Sequence, residues 1–407
     1  MNKVSAGVNF RLVSRSGFSL VELLVVVSIV GVLTAIVIPA VQAARESARL
    51  NYCRNNIAQL SKAMLQHEGK FGFFPTGGWS PVWLGVAERT ADSSQPGGWT
   101  FGVLPHLEEL GTRDIVANAS STTAANVYQQ LVSTPVKVFS CPSRRPSRAI
   151  PVPGVGPFCS AASTQIPITT AVRSDYAANG GANAGCPPLT RLRKVSGNVS
   201  ASAKIKMSHV PPGNASGCNE LDLPYTAIVN GHMNHSLDRL GPCNGCTAAV
   251  DGNVFSPNSV SEGDAWRKAP ISKRLELPDD GIPDMQDGFV YRMSRVTAGH
   301  VRDGMSNVYL IAEKFVPSDK YRTGDDAGDQ SVLYAGYSSS NVRFGYEPPV
   351  SDGDRGSHSN AFGGPHRAGW TVAFGDGSVR TLSFDIQPAL HKALASRDDG
   401  SLAIPPQ

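Results

Sequence analysis

The sequence predicts an α+β protein in which one long N-terminal helix, transmembrane in its first half, packs on a loop-rich, mainly antiparallel β head. Three observations carry this. Residues 20–38 are apolar except for Glu22, Ser28 and Thr34, with Gly31 among them, close to the ~20 residues that cross a hydrocarbon core of ~30 Å. The 407 residues include 41 Gly and 29 Pro but only 17% charged side chains, a balance that favours loops and strands over a helical bundle. Near the C-terminus Trp370, Val372 and Phe374 alternate up to Asp376-Gly377, and an Asp-Gly pair between two such runs signals a hairpin, whose tight turn requires positive φ.

Taken in order, residues 1–17 contain Lys3, Arg11 and Arg15 and no acid. This places the N-terminus on the cytoplasmic side and the rest outside. The formal charge of +4 falls to +1 without those three cations, so no nucleic-acid partner is indicated. The helix is expected to continue through a kink at Pro39, since the following Gln, Ala, Arg and Glu residues are good helix formers. Ile57, Leu60, Met64 and Leu65 recur at helical spacing as a stripe that packs on the head. Gly69 is the expected stop, and a helix from Phe18 to about His67 is ~75 Å long. Residues 38–44 end in small side chains, so this run is also compatible with cleavage as a secretory signal.

From Phe71 the aromatic residues Phe73, Phe74, Trp99 and Phe101 are expected to anchor the head against the helix, with His106 in a structural place. Residues 111–135 read as a helix and its approach. Residues 136–140 alternate like a short strand that ends at Cys141. Residues 142–270 are rich in Pro, Gly, Ser and Asn and read as long loops on a β scaffold. Residues 289–292 and 308–312 read as strands. Between them Asp303, Gly304, Ser306 and Asn307 form a turn whose side chains bond nearby backbone.

Seven cysteines are present. Cys53 lies on the helix, and the even set Cys141, Cys159, Cys186, Cys218, Cys243 and Cys246 lies in the external part, where disulfides form. His232 and His235 precede Cys243 and Cys246 as H-x2-H-x7-C-x2-C, which could hold zinc; disulfides or idle side chains are the competing reading. Asp279, Asp280, Asp284 and Asp287 flank a glycine turn and could hold calcium, against the alternative of a solvated acidic turn. No cofactor is otherwise called for.

Gly17-Phe18-Ser19-Leu20-Val21-Glu22 resembles the processing site of type IV prepilins and type II secretion pseudopilins. The resemblance implies a pilin-like fold, cleavage between Gly17 and Phe18 by a prepilin peptidase that also methylates Phe18, and Glu22 as the fifth mature residue. An isolated anchor has no use for Glu22, because a carboxylate in hydrocarbon costs a few kcal/mol. His366 nine residues before Asp376-Gly377 is similar to the H-x9-D-G signature of a large bacterial family with prepilin-like N-termini and otherwise unknown function. Further similar stretches are Arg54-Asn55-Asn56-Ile57, Gly98-Trp99 to Leu107, Phe139 to Ser143, Ser174 to Gly180, and Asp303 to Asn307, where Met305 replaces the family's usual Thr. About 185–275 then reads as a variable insertion.

The implied organisation is a leader (1–17), a long helix (18–69) and an extracytoplasmic head (70–407). The implied function is a structural or assembly subunit of a type II secretion or type IV pilus-like system. It would be single-pass in the inner membrane, with a cytoplasmic N-terminus, a periplasmic or extracellular head, and other pilin-like subunits and the secretion machinery as partners. The alternative is a membrane-anchored binding module for a glycan, peptide or calcium, its loop-rich head exposing aromatic side chains. An enzyme would have to use His366, Asp376 and His358 as acid–base groups. Because G-x-S-x-G, H-E-x-x-H and phosphate-loop motifs do not occur, none is expected.

Overall fold

Helix α1 (Leu20–Phe71) has 52 residues and runs through Pro39 and Gly69. Its stop is Gly72, three residues beyond the expected one. Gly72 has φ +79 and donates its N–H to the Glu68 carbonyl at 2.7 Å, a left-handed C-terminal turn that suits glycine. The computed structural model describes residues 19–153, 156–162, 165–182, 261, 264, 287–401 and 403–405. The chain forms two compact units, Met1–Ala48 and Arg49–Gln407.

In the first unit the helix is long and apolar enough to cross a membrane, and none of its most apolar 18-residue window is buried. A helix apolar on all sides is suited to lipid or to other subunits rather than water. Its hydroxyls are satisfied internally: Ser28 donates to the Val25 carbonyl at 2.7 Å and Thr34 to the Val30 carbonyl at 2.8 Å, so neither brings an unpaired donor into hydrocarbon. Glu22 accepts the Ser19 N–H at 2.9 Å in the first turn, where the helix dipole favours a negative charge.

In the second unit, Cys53, Asn56, Ile57, Leu60, Met64 and His67 form the buried stripe of α1. Short helices α2 (Trp99–Gly102), α3 (Leu110–Asp114) and α4 (Ala124–Ser133) follow. The helix expected within 111–135 is α4, and its approach holds the short α3 and then Asn118 at φ +60. Residues 136–140 are not a strand. Lys137–Phe139 is a 3-10 turn, because Ser140 gives its carbonyl to Asn56 of α1 and no strand pairs with the segment among the described residues.

Strands β1 (Ile150–Pro151) and β2 (Thr170–Ala171) make a small antiparallel pair. The central sheet contains β3 (Tyr176–Asn179), β4 (Tyr309–Glu313), β5 (Val342–Arg343), β8 (Trp370–Phe374) and β9 (Val379–Leu382), while β6 (Val350–Ser351) and β7 (Gly363–Gly364) pair separately. Its order is β5-β3-β4-β8-β9, antiparallel except for β3 with β5. Residues 289–292 do not join it as a strand. Phe289 and Val290 both donate to the Asn179 carbonyl at the end of β3, and Met293 turns away at φ +52.

Alternation sets the two faces, except that a register irregularity between Tyr309 and Ile311 in β4 puts these two residues on opposite sides. Tyr176, Ala178, Ile311 and Ala373 pack with Ile57, Leu60 and Met64 of α1. Tyr309, Ala312, Trp370, Val372 and Phe374 pack on the other side with Leu394 and Ala395 of helix α5 (Pro388–Ala395). The Asp-Gly hairpin joins β8 to β9. Gly377 alone takes positive φ, +84, while its N–H bonds the Phe374 carbonyl and the Phe374 N–H bonds the Ser378 carbonyl, both at 2.9 Å. This is the three-residue hairpin loop in which a type I turn ends in a left-handed glycine, rather than a two-residue turn.

Candidate functional site at the joint between helix and sheet

Side chains from distant parts of the chain meet where the second half of α1 rests on the sheet. Cys53 of α1 is disulfide-bonded to Cys141, with Cα atoms 5.5 Å apart. The even set of six external cysteines therefore does not pair only within itself: Cys141 takes its partner from the helix. Cys159 is disulfide-bonded as well. Three residues along α1 from Cys53, one turn on, Asn56 donates from Nδ2 to the Ser140 carbonyl at 2.9 Å and to the Tyr176 hydroxyl at 3.1 Å. All these groups are buried, so each donor must find a partner inside the protein.

Glu313 closes β4 and lies opposite Tyr176 in the register. Its Oε2 accepts the Thr371 N–H at 2.8 Å, and its Oε1 lies 3.4 Å from His366 Nε2. That same imidazole nitrogen is 3.5 Å from Cys141 Sγ. One sulfur from each cysteine, the carboxylate and the imidazole lie within 4.8 Å of one another, all buried. His366 thus stands over the disulfide, ahead of the strand that leads into the hairpin.

Behind Cys141 lies a buried ionic network. Asp175 accepts the Cys141 N–H at 2.7 Å through Oδ2 and meets Arg145 at 2.8 Å and Arg144 at 3.5 Å through Oδ1. Arg144 reaches Asp352 at 2.8 Å and donates to the Lys314 carbonyl at 2.7 Å. Arg145 grips Asp329 with both terminal nitrogens, and Lys314 meets Asp329 at 2.8 Å and the Ser340 carbonyl at 2.6 Å. Tyr321 donates to Asp352 at 2.7 Å.

Burial alone would raise the Asp329 carboxyl, but Arg145 and Lys314 outweigh it and hold this group well below the usual range. Burial lowers Lys314 to about 7, with Asp329 only partly restoring it. For Arg144 the desolvation is overcome by Asp352 and Asp175, which keep its guanidinium charged. The Tyr176 phenol is pushed far up, first by burial and then by Glu313, so it does not act as a base near neutral pH. The arrangement locks helix, sheet and loops together. Deleting one member of such a network leaves a charge buried and costs about 3–5 kcal/mol.

The other motif residues serve turns. Asp303 accepts the Asp399 N–H at 2.8 Å and the Gly400 N–H at 3.1 Å. Gly304 has φ +95, Asn307 donates to the Asp303 carbonyl at 2.9 Å, and Ser306 is exposed. Asp376 accepts the Ser378 N–H at 2.8 Å and gives its own N–H to the Met305 carbonyl at 3.1 Å, so the two turns brace each other. His366 and Asp376 lie beyond opposite ends of β8. His358 is held by Glu347 at 2.8 Å and Asp354 at 3.5 Å. The three groups an acid–base reading would use are thus engaged in separate places. Trp79, Trp83, Trp99 and Trp370 are all fully buried, which removes them as a ligand platform. Asp287 is partly buried, with Oδ1 accepting the Ala182 N–H at 2.8 Å. Asp279, Asp280, Asp284, His232, His235, Cys243, Cys246, Gly17 and Phe18 lie outside the described residues.

Sequence reasoning missed Glu313, Lys314, Arg144 and Arg145 as members of one cluster. Two signals were present: adjacent charges directly after the apolar strand 309–312, and an Arg pair just after a cysteine. Both are local, and only the fold joins them.

A family model described as a protein of unknown function (DUF1559) matches residues 42–202 and 251–389, well over half of the chain. The chain belongs to this DUF1559 family. Both matched spans contribute to the cluster, the first through Cys53 and Cys141 and the second through Glu313 and His366. A second model, the prokaryotic N-terminal methylation motif, matches residues 13–38. No curated protein and no solved structure matches the chain significantly. The methylation motif and the exposed apolar helix mark this DUF1559 chain as a membrane-anchored subunit of prepilin type, and the family matches point to a structural, pilin-like protein rather than an enzyme.

Proposed function

We propose that the chain is a pseudopilin-like subunit made as a prepilin. A prepilin peptidase removes residues 1–17 by cutting between Gly17 and Phe18, and the new Phe18 amine is methylated. The helix holds the subunit in the inner membrane with its N-terminal end cytoplasmic. The head, residues 70–407, stands on the periplasmic or extracellular side and serves assembly with like subunits of a type II secretion or type IV pilus-like system. The family match breaks between 202 and 251, inside the stretch about 185–275 that we assign to a variable insertion.

The observation that carries this reading is the methylation-motif match over residues 13–38, laid on a helix whose apolar side chains are uncovered. Glu22 supports it. Its carboxylate sits at the first turn, bonded to the Ser19 N–H, next to where a Phe18 amine would begin the mature chain. In an apolar bundle that carboxylate pairs with the amine of a neighbouring subunit, which offsets its desolvation. The test is Glu22→Ala, expressed at wild-type level, with subunit crosslinking in native membranes. Membrane residence and cleavage should persist while crosslinking is lost. Equal crosslinking would leave an anchored monomer and defeat the assembly role.

A further inference from the structure

We propose that Cys53, Cys141, Glu313 and His366 form a tetrahedral site for a thiophilic divalent cation, zinc by its donor set, whenever the Cys53–Cys141 disulfide is open. Two thiolates, one imidazole and one carboxylate are donors that zinc accepts at ~2.3 Å for sulfur and ~2.0–2.2 Å for nitrogen and oxygen. A tetrahedron with those bonds has edges of about 3.3–3.8 Å. The edges already present fit: His366 Nε2 is 3.5 Å from Cys141 Sγ and 3.4 Å from Glu313 Oε1, and all four donor atoms lie within 4.8 Å of one another. The two sulfurs must separate, from bonding distance to roughly 3.7 Å, and any donor pair near the 4.8 Å limit must draw in by about 1 Å.

A second observation points to a cation. Glu313 is fully buried, and its Oε1, aimed into the cluster, accepts no hydrogen bond. Such an oxygen loses its hydration without a donor to replace it, and a metal ion at the centre would supply that partner. The other oxygen is fixed by the Thr371 N–H at 2.8 Å, the kind of outer contact that orients a ligand carboxylate. Two thiolates and one carboxylate around a divalent ion leave one net negative charge. Arg144 and Arg145, themselves paired with Asp175, Asp352 and Asp329, are the cations nearest that charge across Asp175.

The chemistry balances with a thiol reductant. Two thiol molecules reduce the disulfide by two electrons and two protons, giving two cysteine thiols and one small-molecule disulfide. Metal binding then displaces the two thiol protons to solvent. Either bond, covalent or metal, ties α1 to the sheet at the same point, so the joint stays closed in both redox states.

The experiment uses the full chain in detergent, reduced by a phosphine, freed of reductant without air, equilibrated with zinc and passed through a desalting column. Reduced wild type should retain one equivalent of zinc more than the Cys53→Ser/Cys141→Ser variant, a difference that cancels metal held by the other cysteines. Cobalt(II) at the same site should show thiolate charge-transfer and tetrahedral d–d bands. His366→Ala should remove or shift them, and the isosteric Glu313→Gln should weaken affinity at least tenfold. Should His366→Ala misfold, Glu313→Gln decides alone. Equal zinc in wild type and the double serine variant, or cobalt binding unmoved by Glu313→Gln, would overturn the site.

Discussion

Replacing Cys53 and Cys141 together by alanine removes the covalent link between α1 and the head, and its effect can be estimated from the loop that the link closes. The cysteines are 88 residues apart. Loop-closure entropy for that length is about 15 cal/mol/K, or roughly 4.6 kcal/mol at 25 °C. Unfolding a unit the size of Arg49–Gln407 releases ~2.1 cal/mol/K per residue, in total ~0.75 kcal/mol/K, so the melting temperature should fall by about 6 °C. The sulfurs are fully buried, and the space they vacate adds to the loss rather than reducing it. The assay is thermal unfolding in detergent with a chelator present, comparing the variant with oxidised wild type. An unchanged melting temperature would mean that the link is absent in solution or constrains nothing.

Three further outcomes are expected. Gly377→Val forces a branched side chain to φ +84, with a Cβ 3.0 Å from Leu65 Cδ1; a loss of about 1–3 kcal/mol in chemical denaturation is expected, and wild-type stability would show the turn to be misassigned. His67 and His391 are lowered by burial to about 4. Between pH 6.5 and 4 the unfolded chain therefore binds protons that the native protein refuses, so stability holds above pH 6.5 and falls below it. The loss is about 3 kcal/mol per histidine, and His67→Gln should flatten that part of the stability–pH curve; an unaltered curve would contradict it. Asp175→Ala, which strips a shared carboxylate from Arg144 and Arg145, should cost about 3–5 kcal/mol, against near-neutral melting if the network were incidental.

The helix, the hairpin and the packing face of α1 were legible because each rests on short-range periodicity: residues 20–38, the Ile57-Leu60-Met64 stripe, and Trp370-Val372-Phe374 before Asp376-Gly377. The strand expected at 136–140 fails where a long-range bond overrides local pattern, while the helix expected within 111–135 forms over Ala124–Ser133. Ser140 is claimed by Asn56, and the approach to α4 passes through Asn118 at positive φ. The joint was legible only as scattered stretches around Asn56, Cys141, Asp175 and His366. Their common purpose depends on sheet register, which places Glu313 opposite Tyr176 and which no single segment encodes. Cys53 looked apart from the external cysteines because it sits on the helix, yet that same helix carries it to Cys141.

The central claim is prepilin-type processing, and mass spectrometry of the N-terminus of the protein isolated from its native membranes tests it most directly. The expected chain begins at Phe18 with an added methyl group, lacking residues 1–17. A chain that begins at Met1, or one that begins after Ala44, would contradict it.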